Sequence, residues 1–320
     1  MKRLGSEEEE QGSGRSFARK SKTEFNGLCD DVMAITYNDL YLDIRRELRK
    51  AGIEAATLEA RELVCFGTDK TREELARDGG LYASPALEQR VRALVDRHLA
   101  GEPVAYLIGE WEFYGLPLDI SDDVLIPRPD TEVLVGQALE YITELGECRV
   151  LDLCAGSGCI GLAVASQAPL ARVVLGEYSD AALKICRQNI RRNGLSGRVV
   201  PMYVNALEKP EKNLGEFQCI VSNPPYIPRV DIAGLDVSVR EYEPLMALDG
   251  GEDGLDFYRA IVDKWSNALL PGGRLYFEVG IGQADSVLRI MRAKGFGDIQ
   301  IVKDLNEIPR VVFGTLMDEI

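Results

Sequence analysis

The chain has 320 residues, of which 37 are basic and 52 are acidic, so its formal net charge is −15. This length suits one large or two modest domains, and no apolar run approaches the roughly 18 residues that a membrane span needs. Proteins that grip nucleic-acid phosphates usually carry a basic face. The composition therefore argues against a membrane protein and against direct nucleic-acid binding, and it favours a protein or small-molecule substrate.

The cysteine and histidine content argues against disulfide and metal chemistry. The seven cysteines include no C-x-x-C pair, and the start, MKRLGSEEEE, lacks the apolar segment of a signal peptide. We therefore expect a cytoplasmic protein whose thiols are free and pack as small hydrophobic side chains. With His98 as the single histidine, we predict neither a zinc site nor a histidine-based catalytic triad.

The N-terminal third divides into two parts. Residues 1–35 are rich in Gly, Ser, Glu and Lys and are predicted to be a disordered extension. Residues 36–105 show a helical pattern, in which Leu40, Ile44 and Leu48 fall on one face. This segment is expected to form a bundle of roughly four helices, since apolar stripes of this kind pack against one another.

Local signals mark two helix starts and a hairpin. Thr71 and Glu74 have the spacing of a capping box, and Ser84-Pro85 supplies an N-cap followed by a proline at the first helical position. The aromatic-rich residues 106–122 are expected to hold two short strands, which form a hairpin linker between the helical bundle and the rest of the chain.

Residues 123–320 alternate between strand and helix patterns. This alternation predicts an α/β fold with a doubly wound, Rossmann-like sheet that is mostly parallel and ends in an antiparallel hairpin. Ligands on such sheets bind beyond the carboxyl ends of the strands. The predicted strands are 149–153, 172–176, 199–204, 218–222 and 274–279, then the pair 298–302 and 310–316, and helical stretches include 180–193, 254–270 and 282–294.

A glycine-rich loop follows the first of these strands. The segment VLDLCAGSGCIG (150–161) has the spacing of the dinucleotide fingerprint, with Gly156, Gly158 and Gly161. Glu177 ends the next predicted strand, where a carboxylate can accept hydrogen bonds from both ribose hydroxyls. These features predict an adenosine-type cofactor, and both NAD and S-adenosylmethionine fit them.

Asp152 favours S-adenosylmethionine over NAD. A carboxylate under the loop can neutralise a methionine ammonium group directly or through water, whereas it would repel a pyrophosphate. The alternative is that the glycines only make a tight turn and that Asp152 only ties down the loop.

The segment VSNPPYIP (221–228) ends a predicted strand with an Asn-Pro-Pro-Tyr sequence. We call residues 223–226 the NPPY corner. A planar amide or aromatic amine is a poor nucleophile, and methylation needs two in-plane acceptors that hold its N–H groups. The Asn223 side-chain oxygen and the Pro224 carbonyl can be these acceptors, and Tyr226 can lie against the planar group. The alternative is a simple turn, since Asn-Pro is a frequent turn former.

Five separated blocks resemble the HemK/PrmC family, the glutamine methyltransferases of peptide-chain release factors. The resemblance covers roughly residues 36–320, and the helical segment with the hairpin linker is similar to that family's N-terminal domain and linker. It implies a class I methyltransferase domain at 123–320 and a substrate-docking helical domain at 36–105. The blocks are VLIPRPDTEVLV (124–135), VLDLCAGSGCIGLAVA (150–165), IVSNPPYIP (220–228), EPLMALDGGEDGLDFYR (243–259) and LLPGGRLYFEVGIGQ (269–283).

The resemblance also implies the activity and the site. The family transfers a methyl group from S-adenosylmethionine, leaving S-adenosylhomocysteine, to the side-chain nitrogen of the glutamine in a Gly-Gly-Gln loop. Besides Asp152, the implied cofactor-binding residues are Cys154, Ala155, Gly156, Ser157, Gly158, Glu177, Asn205, Ala206 and Asn223. The implied substrate-binding residues are Asn223, Pro224, Pro225 and Tyr226, of which Asn223, Pro224 and Tyr226 are the catalytic ones.

The chain departs from the family pattern at two places. Cys154 and Ala155 replace a Gly-Thr pair but are small, so the loop should still close. Asn205 replaces an Asp in the adenine-site block, which keeps an acceptor but removes the charge. Phe113, Arg128 and Thr131 are further candidates to face the pocket.

Three other classes of protein share part of this pattern. A nucleic-acid amino methyltransferase uses the same corner, although the net charge of −15 counts against it. A nicotinamide-dependent oxidoreductase is supported only by the glycine spacing. A catalytically silent module that recognises release factors is disfavoured, because every residue of the NPPY corner is present.

Overall fold

The computed structural model describes residues 34–212 and 214–317. Its N-terminal part is helical, and Leu40, Ile44 and Leu48 are fully buried on one face of the first helix, as their spacing predicts. The extension predicted for residues 1–35 lies almost entirely outside the described residues. The helices are α1 (Tyr37–Lys50), α2 (Ala56–Thr68), α3 (Arg72–Arg77), α4 (Pro85–Leu99) and α5 (Val104–Ile108).

Both predicted helix starts are confirmed. Thr71 accepts a hydrogen bond from the Glu74 amide at 3.1 Å, and the Glu74 carboxylate accepts one from the Thr71 amide at 2.9 Å. The Ser84 hydroxyl accepts a hydrogen bond from the backbone amide at the third position of α4, whose first residue is Pro85. These caps satisfy N–H groups that have no partner inside the helix. The expected count of four omits the short helix α5, which ends at Gly109 in the left-handed region.

The predicted hairpin is present between the helices and the main sheet. Strands β1 (Glu110–Phe113) and β2 (Leu116–Asp119) pair in antiparallel fashion. Tyr114 and Gly115 form the turn, with φ angles of +52° and +75°, as a two-residue type I′ hairpin requires. Trp111 packs against both the helical core and the sheet core. Arg192 forms a salt bridge with one carboxylate on each hairpin strand, so the hairpin contacts the sheet domain by packing and by charge.

The main sheet has seven strands in the order β5-β4-β3-β6-β7-β9-β8. The strands from β3 to β7 pair in parallel, and β9 runs antiparallel to both β7 and β8. This confirms the predicted mostly parallel sheet with an antiparallel terminal hairpin. The strands are β3 (Cys148–Leu153), β4 (Ala171–Glu177), β5 (Val199–Tyr203), β6 (Phe217–Ser222), β7 (Leu269–Glu278), β8 (Phe296–Lys303) and β9 (Pro309–Leu316).

Helices cover both faces of this sheet, and each face has its own buried core. A 3-10 turn, Arg229–Gly234, and two short helices follow β6. The remaining helices are α6 (Thr131–Leu145), α7 (Cys159–Gln167), α8 (Asp180–Arg192), α9 (Val237–Arg240), α10 (Leu245–Leu248), α11 (Asp256–Trp265) and α12 (Ala284–Ala293).

The predicted end of one helix and the predicted start of the next strand are wrong. The helix predicted over 254–270 ends at Trp265, a 3-10 turn covers Ser266–Ala268, and β7 starts at Leu269 instead of 274. The pairing of β7 with β6 shifts register between Phe217 and Cys219, where the Pro-Gly-Gly run at 271–273 interrupts the ladder. Proline lacks the amide that a ladder needs, so the early part of the strand has no clear sequence pattern.

Candidate active site

A cavity of about 440 Å³ opens at the carboxyl edge of the sheet. It lies where the strand order reverses, because β4 is on one side of β3 and β6 is on the other. This is the position at which open α/β sheets bind ligands. Nine of the predicted site residues line it: Cys154, Ala155, Gly156, Ser157, Glu177, Asn205, Ala206, Asn223 and Pro225.

The glycine loop turns sharply from β3 into α7. Gly158 precedes the helix at φ +82°, in the left-handed region that glycine enters without steric cost. A Cβ on Gly161 would lie 2.3 Å from Leu175 Cδ2, so only glycine lets α7 approach the sheet this closely. Cys154 has φ +61°, a value that is unusual for a residue with a side chain. The loop therefore lies close against the sheet and presents its backbone to the cavity.

Asp152 lies beneath this loop and is not among the residues that line the cavity. Its side chain is fully buried, and Oδ2 accepts a hydrogen bond from the Gly161 amide at 2.8 Å. Burial raises the pKa of this carboxyl to about 7, with a smaller contribution from Glu177 in the same direction. Asp152 thus binds the first turn of α7, and Oδ1 has no hydrogen-bond partner among the described residues.

Glu177 ends β4 and connects the loops on either side of the cavity. One carboxylate oxygen accepts a hydrogen bond from the Gly156 amide at 2.8 Å, and the other accepts from the amides of Tyr178 and Ser179 at 2.7 and 2.8 Å. A carboxylate offers about four acceptor positions, so Glu177 keeps capacity for a ligand hydroxyl. The same residue therefore orders the loop and faces the cavity.

Further polar groups border the cavity at the glycine loop and at the segment after β5. The Ser157 hydroxyl lines the cavity, is buried, and has no partner among the described residues. Asn205 accepts a hydrogen bond from the Leu207 amide at 3.0 Å, and the Ala206 carbonyl accepts one from Trp265 Nε1 at 3.1 Å. These contacts hold the 205–206 backbone against the cavity wall.

The NPPY corner directly follows β6. Asn223 lines the cavity, and its Nδ2 donates to Thr131 Oγ1 at 3.4 Å. Pro225 also lines the cavity, whereas Pro224 is buried and is not a lining residue. Among the described residues no donor reaches the Pro224 carbonyl, so this oxygen keeps its capacity to accept a hydrogen bond.

Tyr226, the last residue of the corner, does not line the cavity. Its side chain packs in the core that includes α11 and β7, and burial raises its pKa to about 12. Its carbonyl accepts a hydrogen bond from Gln283 Nε2 at 2.8 Å. The Cα and carbonyl carbon of Tyr226 would lie 2.7 Å from a Cβ on Gly250, so the segment after α10 packs directly on the corner backbone.

Of the three further candidates to face the pocket, two line the cavity and one does not. Thr131 and Arg128 line the cavity, and Arg128 pairs with the buried carboxylate of Glu243. Phe113 is 2% exposed and belongs to the hydrophobic core. Gly158 shapes the loop without lining the cavity.

Two neighbours of the corner were missed by sequence reasoning. Glu278 ends β7 beside the corner and is buried, and Gln283 bonds the corner from the start of α12. The sequence contained a signal for Glu278, because a carboxylate at the end of an apolar strand is unusual. Gln283 gave no signal, because its contact depends on how α12 packs.

The sheet topology, the glycine loop and the NPPY corner together define a methyltransferase of the Rossmann-like fold, and the protein is therefore an enzyme. The sequence comparisons agree. Residues 39–109 match the PrmC N-terminal domain, and residues 131–234 match the methyltransferase small domain. The chain belongs to the release factor glutamine methyltransferase family.

The relatives named release factor glutamine methyltransferase align over most of their length. The protein from Geobacter sulfurreducens is 42% identical over 274 residues, which is 85% of this chain and 94% of the relative. Those from Thermodesulfovibrio yellowstonii and Bradyrhizobium diazoefficiens are 38% and 40% identical, over 79% and 83% of this chain and 90% of each relative.

The comparison with one solved structure supports the fold and nothing beyond the fold. The hMettl16 catalytic domain, determined in complex with a 3′UTR hairpin, superposes with a TM-score of 0.50 at 16% identity, over 65% of this chain and 78% of that chain. No helix among residues 34–212 and 214–317 combines the length and apolar character needed to cross a membrane.

Proposed function

We propose that this protein transfers a methyl group from S-adenosylmethionine to the glutamine side-chain nitrogen of the Gly-Gly-Gln loop in peptide-chain release factors. This activity would support translation termination in the cytoplasm. One observation carries the proposal: Asn223 of the NPPY corner lines the same cavity as the glycine loop. A methyl donor on the loop side and a planar amide at the corner would therefore share one cavity.

The residues present fit S-adenosylmethionine. Its methyl sulfonium supplies an electrophilic carbon, and the chain has to hold the donor and exclude water. The Ser157 hydroxyl is buried without a partner and can bond a polar group of the methionine portion. Glu177 keeps acceptor capacity for ribose hydroxyls, while Asn205 and Ala206 border the wall on which adenine would lie.

Asp152 would not contact the methionine ammonium directly, as its position in the sequence had suggested. The structure supports its action on the loop through the Gly161 amide. Its buried carboxyl would influence the methionine ammonium only through the loop or through a bound water. Gly158 likewise acts by allowing the turn into α7.

The corner residues would hold the glutamine amide. Asn223 Oδ1 and the Pro224 carbonyl can accept its two N–H groups and keep the NH2 plane facing the donor. These acceptors stabilise the positive charge that develops on nitrogen during transfer. Tyr226 does not line the cavity in this structure, so its ring would contact the amide only after a movement of the corner. Pro225 forms the cavity wall beside the amide.

A release factor as partner is consistent with the surface near the cavity. Leu245 and Met246 are 60% and 55% exposed, and Met246 also lines the cavity. Exposed apolar side chains at a site mouth are typical of protein-binding surfaces. The net charge of −15 disfavours the alternative, a nucleic-acid amino methyltransferase with the same corner.

The division of the chain is part of this proposal. Residues 36–105 would dock the release factor, residues 106–122 would link the domains, and residues 123–320 would carry the reaction.

The deciding experiment is mass spectrometry of the Gly-Gly-Gln peptide after a release factor has been incubated with enzyme and S-adenosylmethionine. We expect one added methyl group on the glutamine side chain. A release factor whose glutamine is replaced by alanine is the control. Methylation of DNA with tritiated cofactor, without modification of the release factor, would contradict the proposal.

A further inference from the structure

The buried carboxylate of Glu278 lies beside the NPPY corner. Glu278 is the last residue of β7, and the residue before it pairs with Ser222 of β6. The parallel register therefore places Glu278 next to Asn223. Its side chain is 2% exposed, and Oε2 has no hydrogen-bond partner among the described residues. A buried carboxylate oxygen without a partner is costly, and such an atom at a reaction site calls for a functional explanation.

The side chains of Thr131 and Asn223 are the polar neighbours of Glu278. Burial raises the pKa of Glu278 to about 7, whereas hydrogen bonding from the side chains of Thr131 and Asn223 acts in the opposite direction. The Nδ2 group of Asn223 also donates to Thr131 Oγ1. The amide nitrogen of Asn223 thus faces Thr131, the strand register places Glu278 beside it, and the Asn223 oxygen is at the other end of the amide.

A carboxylate can impose this orientation because an ionised carboxylate only accepts hydrogen bonds. If the Asn223 amide were rotated by half a turn, its oxygen would face the Glu278 oxygens, and Glu278 would lose the Asn223 N–H group as a donor. We propose that Glu278 is a positioning residue, which holds Asn223 Nδ2 and thereby directs Asn223 Oδ1 toward the substrate amide. This inference rests on the proposed function for the identity of that amide.

The proposal implies a pH dependence with a defined sign. A protonated Glu278 has an O–H donor, which can pair with Asn223 Oδ1, so the imposed orientation is lost as the pH falls through its pKa. Methyl transfer should therefore decrease toward acidic pH. The charged and titratable groups that face Glu278 are Arg310 from β9, Asp130 before α6, Tyr258 from α11, Cys159 from α7 and Tyr226 from the corner.

The first test observes the amide and needs no substrate. The Asn223 side-chain NH2 resonance is assigned by its loss in Asn223→Ala and followed by NMR from pH 5 to pH 9 in the wild-type protein and in Glu278→Gln. We expect the amide protons to move downfield as Glu278 ionises, and this response to vanish in Glu278→Gln. A wild-type resonance that does not respond to pH, or a response kept by Glu278→Gln, overturns the proposal.

The second test measures turnover with a release factor substrate. Glu278→Gln should lower kcat about tenfold, keep S-adenosylhomocysteine affinity within about twofold, and lose the acidic limb of the pH profile. If Glu278 acts through Asn223, adding Glu278→Gln to Asn223→Ala should change kcat by less than about twofold. Equal losses in the two backgrounds would show an independent structural role and overturn the proposal.

Asp304 offers a matched control. It is also buried, and it bonds Arg310 at 3.2 Å, but its other partners are backbone amides of its own turn. Asp304→Asn should leave the acidic limb of the profile in place. If it removes that limb as Glu278→Gln does, the effect comes from Arg310 and not from Asn223. A wild-type enzyme that leaves the release factor unmodified contradicts the proposed function, and the NMR titration still decides the role of Glu278.

Discussion

Gln283 Nε2 donates a hydrogen bond to the carbonyl oxygen of Tyr226 at 2.8 Å, although 57 positions separate the two residues in sequence. The same nitrogen donates to the Gly254 carbonyl at 3.2 Å, and Gln283 Oε1 accepts from the Gly280 amide at 3.0 Å. One side chain thus bonds the NPPY corner, the segment before α11 and the turn after β7. These contacts fix the corner backbone relative to the sheet.

Replacing Gln283 should therefore reduce methyl transfer without removing cofactor binding. Gln283→Glu keeps the acceptor for the Gly280 amide but places an oxygen against two carbonyl oxygens. We expect kcat to fall about tenfold or more and stability to fall by ~1–3 kcal/mol. Turnover assays, isothermal titration with S-adenosylhomocysteine and chemical denaturation measure these effects. Gln167→Glu, the same change on the exposed surface, is the control, and equal effects at both positions would contradict this role.

Asn223→Ala tests the proposed amide acceptor directly. The variant should bind S-adenosylhomocysteine with near-wild-type affinity, because the loop and Glu177 are intact. Its barrier to methyl transfer should rise by ~2–4 kcal/mol, the scale for loss of one preorganised polar contact. Single-turnover kinetics with a release factor measure this. Near-wild-type turnover would show that the corner does not hold the amide through Asn223.

Glu177→Gln should weaken cofactor binding most. The three backbone amides that the carboxylate accepts from would then face one oxygen and one NH2 group, and a ribose acceptor would be lost. Loss of hydrogen bonds to a charged group costs about 1.5–3 kcal/mol each. We therefore expect S-adenosylhomocysteine affinity to fall by roughly 10- to 100-fold, as measured by calorimetry. Unchanged affinity would remove Glu177 from the ribose site.

Gly250→Ala should disturb the corner by direct contact. Its new Cβ would lie 2.7 Å from the Tyr226 backbone, whereas a Cβ on Gly197 meets nothing within 4 Å. Backbone atoms cannot move aside as a flexible side chain can, so overpacking should cost about 1–3 kcal/mol. Thermal unfolding and turnover should both be impaired in Gly250→Ala and not in Gly197→Ala. Equal behaviour of the two variants would show that the close approach has no role.

The sequence predicted the parts of the fold that depend on local pattern. Apolar runs alternate with amphipathic helices, so the order of strands and helices could be inferred, and the glycine loop and corner fell at strand ends. The start of β7 was missed, because a Pro-Gly-Gly run interrupts its pattern.

The contacts of the site depend on packing that no local pattern encodes. Asp152 could be placed under the loop, but the partner of its carboxyl, the Gly161 amide, follows from how α7 meets β3. Glu278 and Gln283 reach the corner from segments more than 50 residues further along the chain. Tyr226 could be assigned to the corner, yet only the packing of α11 and β7 shows that its ring packs against the core and does not line the cavity.

The raised pKa of Asp152 should make the free energy of unfolding depend on pH. Its pKa is raised from 3.8 to about 7 by burial, so the folded state binds a proton that the unfolded state releases near pH 4. The stabilisation that this proton provides is complete below pH 4 and is lost as the pH rises to 7. Asp152→Asn keeps an acceptor for the Gly161 amide and cannot titrate.

The unfolding free energy of Asp152→Asn relative to wild type should therefore increase from pH 4 to pH 7 and then level off. Urea denaturation at intervals across this range measures the difference, and the other titrating groups cancel because both proteins contain them. The same change at the exposed Asp285 controls for the introduced amide. A constant difference between wild type and Asp152→Asn would mean that the pKa of Asp152 is the same in the folded and the unfolded protein, so that the folded protein holds it ionised at neutral pH. Its charge would then be available to the methionine ammonium.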